Sequence, residues 1–265
     1  VQVSILDSFF KPWSVALIGA TRTPGFGHGI PLFWGKNGWL EKAYLVNPKG
    51  GLIHGKEAYR SISDLPEGID LAVVIVPSPA VREVLIELGK KGIRAVIIES
   101  AGFAETGAEG KKRQDELAGL ARQIGIRLIG PNCVGVVNTE NRFATIEIMA
   151  PSMEPGSVAI MAQSGVFGNI LLDHLPAAGL KISKVATLGN KIDLDEADLL
   201  EYFVADPQTR VILIYMEGTK DGPRFLQALR AAGRKKPVVI LKSGRTPFGR
   251  EATLSHTASL SGEDR

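Results

Sequence analysis

The sequence predicts an α/β protein of two successive domains, each built on a parallel sheet. Three observations carry that expectation. Short, continuously apolar runs rich in Val and Ile alternate with amphipathic stretches along the 265 residues, which is the pattern of strands buried on both faces and joined by crossover helices. Several of those runs end in Gly, Pro, Ser or Asn, the residues that turn a strand into a helix. The alternation breaks once, at the Pro/Met/Gly-rich MAPSMEPG of positions 149–156, and then begins afresh.

Taken in order, strands are expected at 14–20, 43–47, 70–77 and 94–100, with a weaker one at 127–130. A glycine turn at 19–29 opens the first helix, and helical spacing of apolar residues recurs at 80–91 and 107–125, with Lys, Arg and Glu on the other face. After the break, strands are expected at 157–162, 183–188, 210–216 and 237–242, separated by helices at 165–178, 195–205 and 222–234. A boundary near residue 150 follows, with domains at 1–148 and 151–265. The stretch after Lys242 is rich in Gly, Ser and Thr and offers no helix to cover the last strand. Since a doubly wound sheet is normally covered on both faces, the natural polypeptide is expected to continue.

Composition narrows the function. With 31 Lys+Arg against 28 Asp+Glu the formal charge is +3, which excludes a nucleic-acid reader built on a strongly basic surface. No apolar run approaches the roughly 18 residues of a spanning helix, and no signal peptide opens the chain, so neither membrane insertion nor secretion is expected. The single cysteine, Cys133, cannot form an intrachain disulfide or a multi-cysteine metal site, and no metal ligands are assigned; a reducing cytoplasm fits. Thirty glycines exceed the usual share of roughly 7%, in keeping with many tight strand-to-helix turns.

The chemistry gathers at strand ends. GATRTPGFGHG (19–29) follows a strand and opens a helix, where open α/β sheets bind phosphates. Its glycines do not give the GxGxxG spacing, and the second strand ends in Asn47-Pro48-Lys49 where an NAD enzyme would carry a ribose-binding carboxylate. A Lys there suits an extra phosphate, such as the 3′-phosphate of coenzyme A or the 2′-phosphate of NADP. Pro77-Ser78-Pro79, Glu99-Ser100-Ala101-Gly102 and the GPNCVG of 130–135 reach the same carboxyl edge. In the second half, MAQSGVFGN sets Gln163, Ser164 and Gly165 between a strand and a helix, where free amides and the positive end of the helix dipole would meet an anion. Taken alone, QSG is simply an N-capping serine. VILIYMEG ends in Glu217, a strand-end acid. LSHTASLSG places His256 among small hydroxyl residues, unlike a histidine packed on an apolar helix face. An anion turn, a carboxylate and this histidine in one domain point to a nucleophilic His; His28, His54 and His174 sit in no such constellation.

Ten segments in order (FFKPWSVALIGAT, VNPKG, DLAVVIVPSP, ESAGFAETG, GPNCVGVVNT, AQSGVFG, LGNKIDLDEADLLEY, EGTKDGPRF, KSGRT and SHTASLSG) make the whole chain resemble the N-terminal part of the nucleoside-diphosphate-forming acyl-CoA synthetases. These are the acetate-CoA ligase (ADP-forming) type, related to the succinyl-CoA synthetase alpha subunit. The resemblance implies a Rossmann-like CoA-binding domain followed by a flavodoxin-like ligase domain truncated at its C-terminus. It implies that Thr21, Arg22, Thr23 and Pro24 surround the CoA phosphates, that Lys49 neutralises phosphate charge, and that Ser100 and Ala101 border the CoA. It further implies that Ser164 and Gly165 hold the phosphoryl group, that His256 is transiently phosphorylated, and that Glu217 fixes its tautomer.

Coenzyme A and phosphate are the implied ligands. ATP/ADP with Mg would sit on an ATP-grasp beta subunit or fused domain in a larger oligomeric assembly. Small carboxylic acids and acyl-CoA are the implied substrates. No ATP-grasp region is present here, so this chain alone is expected to be inactive. Two rival readings are a CoA-binding regulatory module, as in acetyltransferases carrying a synthetase-like region that has lost its histidine, and an NADP-dependent oxidoreductase. The first is disfavoured by the presence of both His256 and Glu217, the second by irregular glycine spacing and the lack of a hydride acceptor site.

Overall fold

The computed structural model describes residues 4–146 and 153–244. The first sheet contains β1 (Val15–Ile18), β2 (Ala43–Val46), β3 (Gly51–Ile53), β4 (Lys56–Tyr59), β5 (Leu71–Val74), β6 (Ala95–Ile98) and β7 (Arg127–Ile129). Their order is β3-β4-β2-β1-β5-β6-β7, and all pairs are parallel except the β3–β4 hairpin. β1, β5 and β6 are buried at every residue, which is why each reads as an unbroken apolar run. The helices are α1 (Asp7–Phe10), α2 (Gly29–Lys36), α3 (Ser78–Lys90) and α4 (Ala108–Ile124). α4 stops at Gly125, whose left-handed backbone (φ +71°) closes the helix end.

The second sheet takes β8 (Val136–Asn138), β9 (Phe143–Ala144), β10 (Val158–Ala162), β11 (Ile182–Thr187), β12 (Val211–Met216) and β13 (Val238–Lys242), in the order β13-β12-β10-β11-β8-β9. β13, β12, β10 and β11 pair in parallel, while β8 and β9 add on antiparallel at the other end. α5 (Gly165–Ala177), α6 (Glu196–Ala205) and α7 (Gly222–Gly233) connect the parallel strands. Asp195 and Asp198 form a reciprocal capping box at the start of α6, satisfying two of its unpaired amides.

The expected strands and helices thus stand within a few residues of their places. The purely parallel expectation is corrected at both sheet edges, where the short strands β3, β8 and β9 run antiparallel. β8 and β9 precede residue 148 yet belong to the second sheet, and the segment 147–152 lies outside the described residues.

One apolar core runs through both sheets: Phe9, Phe10 and Trp34 from the first helices cluster with Phe143, Val185 and Phe203. Polar ties reinforce the seam. Trp34 Nε1 donates to Ala144 O (2.7 Å), Trp39 Nε1 to Asn141 O (2.9 Å), and Asn138 Nδ2 to Phe10 O (3.0 Å). Each satisfies a buried or half-buried polar atom that would otherwise lose its hydrogen bond on leaving water.

In both sheets the chain runs to one side of a central strand and then to the other. β1 is flanked by β2 and β5, and β10 by β11 and β12. Such reversals leave a crevice beyond the strands' carboxyl ends, and the two crevices face one another.

Candidate functional site

At the first crevice, Gly19 leaves β1 with φ +96°, and a Cβ there would lie 2.9 Å from Val76 Cγ1, so only glycine lets the turn lie this close to the end of β5. Beyond it, Arg22, Thr23 and Pro24 are exposed, as is Lys49 on the neighbouring loop. Asn47 pins the two loops together: its Nδ2 donates to Ala20 O (2.7 Å) and its Oδ1 accepts from the Lys49 amide (2.8 Å). Arg22 adds a second staple, Nε donating to Leu52 O (2.7 Å) and Nη2 to Gly50 O. Its guanidinium therefore braces the loop as well as carrying charge, and Thr21 Oγ1 accepts from the Thr23 amide at 3.0 Å.

Between the crevices lies a cavity of about 510 Å³. Ser100, Ala101 and Pro77 line it from the first sheet, Gln163, Ser164 and Gly165 from the second, with Phe26 at the glycine turn and Asn132 to Val134 along the seam. The structure thus brings Ser100, Ala101, Ser164 and Gly165 to one void, whereas Thr21 to Pro24 and Lys49 stand outside its lining. Ser100 Oγ donates to Val76 O at 2.5 Å, tying the ends of β5 and β6. Cys133 is buried, with Sγ 3.4 Å from Ile98 O. Burial, and then the nearby Glu99 charge, push its thiol far above the ordinary range, which disfavours the reactive thiolate.

Ser164 caps α5, its hydroxyl accepting from the Phe167 amide (3.4 Å). Gly165 is the first helical residue, and a Cβ there would meet Val134 Cγ1 at 2.8 Å. The helix N-terminus therefore abuts the first domain's last loop, with its unpaired amides at the cavity wall. Among the lining residues there is no Lys or Arg, and Glu99 and Glu105 are there; the helix end and the Lys191 ammonium, 3.1 Å from Gln163 Oε1, supply positive potential beside the cavity.

Behind this turn is a buried polar cluster. Glu217, 2% exposed at the end of β12, accepts a long hydrogen bond from the Tyr215 hydroxyl (3.5 Å). Gln163 Oε1 accepts from the amides of Glu217 (2.9 Å) and Gly218 (3.2 Å) and from Lys191 Nζ (3.1 Å). Lys191 also pairs with Glu196 at 2.6 Å. From the neighbouring Asn190, Nδ2 donates to Glu105 Oε2 (2.7 Å) and Gln114 Oε1 (2.8 Å), bridging to the loop that follows Ala101. Burial raises the Glu105 pKa, but hydrogen bonds from Asn190 and the Phe103 and Gly102 amides outweigh it and hold the carboxyl below its ordinary value. His256 lies outside the described residues. Among those described, no three His, Cys, Asp or Glu cluster as for a metal, and no helix is long and apolar enough to cross a membrane.

Comparison with known proteins fits this two-part site. Residues 13–139 match the model of a CoA binding domain, and residues 155–265 that of a succinyl-CoA ligase like flavodoxin domain. Over 98% of its length the chain is 42% identical to the alpha subunit of acetate-CoA ligase [ADP-forming] I of Pyrococcus furiosus, covering 57% of it. It is 41% identical to acetate-CoA ligase [ADP-forming] II of Archaeoglobus fulgidus, again over 98% of this chain but only 39% of that one. The chain belongs to the NDP-forming acyl-CoA synthetase family. A solved member, the dinucleotide forming acetyl-coenzyme A synthetase 1 of Ca. Korarchaeum cryptofilum in complex with phosphate and ADP, superposes with a TM-score of 0.88 at 33% identity. It is covered over 97% of this chain and 56% of that one.

The sequence places Gln163 in the turn without giving it a role. It offers Asn47 only as part of the end of the second strand, and gives no role to Glu105, Asn190 or Lys191. A signal was present for the last two: GNK follows β11 directly and puts two polar side chains at the carboxyl edge.

Proposed function

We infer that this chain is the CoA-binding and phosphohistidine-carrying portion of a synthetase that interconverts acyl-CoA, ADP and phosphate with a carboxylic acid, CoA and ATP. Residues 1–148 would bind CoA and residues 151–265 would form the ligase domain. One observation carries the reading: Ser100 and Ala101 beyond one sheet, and Ser164 and Gly165 beyond the other, line one cavity, so a thioester and an anion can meet there.

The chemistry follows in three steps. Phosphate held at the Ser164 turn attacks the thioester carbonyl, the C–S bond breaks, and CoA leaves as thiolate to be protonated. The N-terminus of α5 stabilises the charge with fixed dipoles that need no reorganisation. His256 then takes the phosphoryl group from the acyl phosphate, releasing the carboxylate, and hands it to ADP on an ATP-grasp partner or fused domain. Glu217 would accept a hydrogen bond from the second ring nitrogen of His256, leaving the first free to attack. A carrier lets the phosphoryl group pass from the acyl phosphate in this cavity to a nucleotide held on the partner module. At the glycine turn the exposed Arg22 and Lys49 fit a polyanion, with Thr21, Thr23 and Pro24 shaping the loop.

Labelled ATP and Mg, supplied to the complete enzyme with its ATP-grasp module, should yield an acid-labile, base-stable phosphoprotein. His256→Asn should abolish it. Glu217→Gln should slow it with CoA binding intact, and should move the acid limb of labelling to lower pH, because a carboxylate neighbour raises the histidine pKa above about 6.5. Undiminished labelling of His256→Asn would place the carrier elsewhere. Binding of NADPH in preference to CoA would overturn the whole reading.

A further inference from the structure

We propose that Lys191 is a positioning residue for phosphoryl transfer, acting through the Gly218 carbonyl and Gln163 on the strand end that bears Glu217. The proposal rests on the reading of Glu217 and His256 given above and names what holds that carboxylate in place.

Three independent observations lead to it. First, Lys191 is a non-glycine residue with φ +53°, a left-handed conformation that costs energy and persists only where surrounding contacts enforce it. Second, its ammonium is buried, the residue being 4% exposed, and each of its donors is engaged. Nζ reaches Glu196 Oε1 at 2.6 Å, Gly218 O at 2.6 Å and Gln163 Oε1 at 3.1 Å. Third, the pair with Glu196 is not built for best stability. Among the described residues Glu196 Oε2 is buried without a hydrogen-bond partner, so the carboxylate is matched to Lys191 through one oxygen only. A buried pair left half satisfied gives little net stabilisation, and its value lies in where it holds the ammonium.

From there Lys191 sets two things. Gln163 Oε1 receives three donors, from Lys191 and from the amides of Glu217 and Gly218, which settles the amide orientation and points its NH₂ donors away from the cluster. The same ammonium grips Gly218 O, so the peptides on either side of Gly218 are fixed by donor and acceptor alike. Glu217 hangs from this clamp. A carboxylate that must meet one ring nitrogen of a histidine tolerates little displacement, whereas the anion turn takes its amides from the start of α5 and meets Lys191 only through the Gln163 side chain.

The test compares two half-reactions in the complete synthetase. One is formation of the phosphoprotein from labelled ATP. The other is arsenate-dependent release of CoA from an acyl-CoA that the parent enzyme accepts: arsenate displaces CoA, and the acyl arsenate hydrolyses without any need for histidine. Because Lys191→Met alone would strand the Glu196 charge and could unfold the domain, Lys191→Met is combined with Glu196→Gln, and melting is followed alongside. The expected result is a loss of about 10²-fold in the labelling rate, the scale of a displacement near 1 Å, with arsenate-dependent release within about threefold of the parent. Equal loss of both half-reactions, or loss of neither, would overturn the role of Lys191. If His256→Asn and Glu217→Gln also label like the parent, the failure lies in the phosphohistidine reading itself.

Discussion

At the carboxyl edge of the first sheet Arg22, Thr23, Pro24 and Lys49 stand exposed, whereas at the same edge of the second sheet Gln163, Ser164, Lys191 and Glu217 are buried. The same kind of crevice is thus finished in two ways. Exposed cations interact weakly and are screened by salt, but they attract a polyanion and let it go. Buried dipoles and charges cost more to assemble, yet act in a low dielectric without having to reorient. A large, exchangeable ligand suits the first construction, and a step in which charge moves suits the second.

The same contrast of buried with exposed charge is sharpest in stability, and the clearest buried pair lies at the opposite edge of the second sheet. Lys184 is fully buried and pairs with Asp206 at 2.6 Å, while Thr209 Oγ1 donates to the same carboxylate oxygen at 2.6 Å. Burial raises the Asp206 pKa, but Lys184 and Thr209 outweigh it and hold the carboxyl below its ordinary value. Lys184→Met would leave that charge without its cation, and should cost about 3–5 kcal/mol. Lys49→Ala, at an exposed site, should move stability by no more than about 0.5 kcal/mol. Scanning calorimetry of both variants decides the matter, and equal melting temperatures would erase the distinction.

Ligand binding should show the reverse. Lys49→Ala should weaken CoA by about 1.5–3 kcal/mol at low salt, the range of a charge-assisted contact. The loss should shrink as salt is raised toward 0.5 M, since exposed charges are then screened. Phosphate binding at the Ser164 turn should be untouched by the substitution. Titration calorimetry across a salt series tests this, and CoA affinity unchanged at low salt would remove Lys49 from the site.

How much of this could be read beforehand follows the same division. β1, β5, β6 and β10 are buried at every residue, so their apolar runs announce themselves. β8 (VVN) and β9 (FA) are too short to show a period, and exist because β11 offers β8 an edge to pair with. The hairpin of β3 and β4 and the four-residue α1 were equally silent. Strand-end residues such as Ser100, Ser164 and Glu217 could be located because the ends of strands could. Asn190 and Lys191 could not be given a role, since apart from Glu196 their partners come from distant segments: Glu105 is 85 positions away from Asn190, and Gln163 is 28 from Lys191.

Glu105 stands at the seam between the exposed and the buried constructions, and gives the smallest of the expected effects. Its carboxylate accepts from the amides of Gly102 (2.6 Å) and Phe103 (3.0 Å) on one side and from Asn190 Nδ2 (2.7 Å) on the other. These donors favour the ionised form, and the folded-state pKa lies below the ordinary 4.5. A depressed carboxyl pKa gives stability that is fully present above the unfolded value and is lost as pH falls through the folded one. The melting temperature of the parent should therefore exceed that of Glu105→Gln above pH ~4.5, and the two should converge on further acidification. Because the side chain is half-buried, the gap should stay under about 1 kcal/mol, at most about 2–4 °C for a chain of this size. Asn190→Ala, which removes one of the donors, should bring the onset of the loss to higher pH. A gap that widened toward acid would mean that protonated Glu105 is the form the fold prefers, and that the loop after Ala101 is joined to the second domain by something other than this carboxylate.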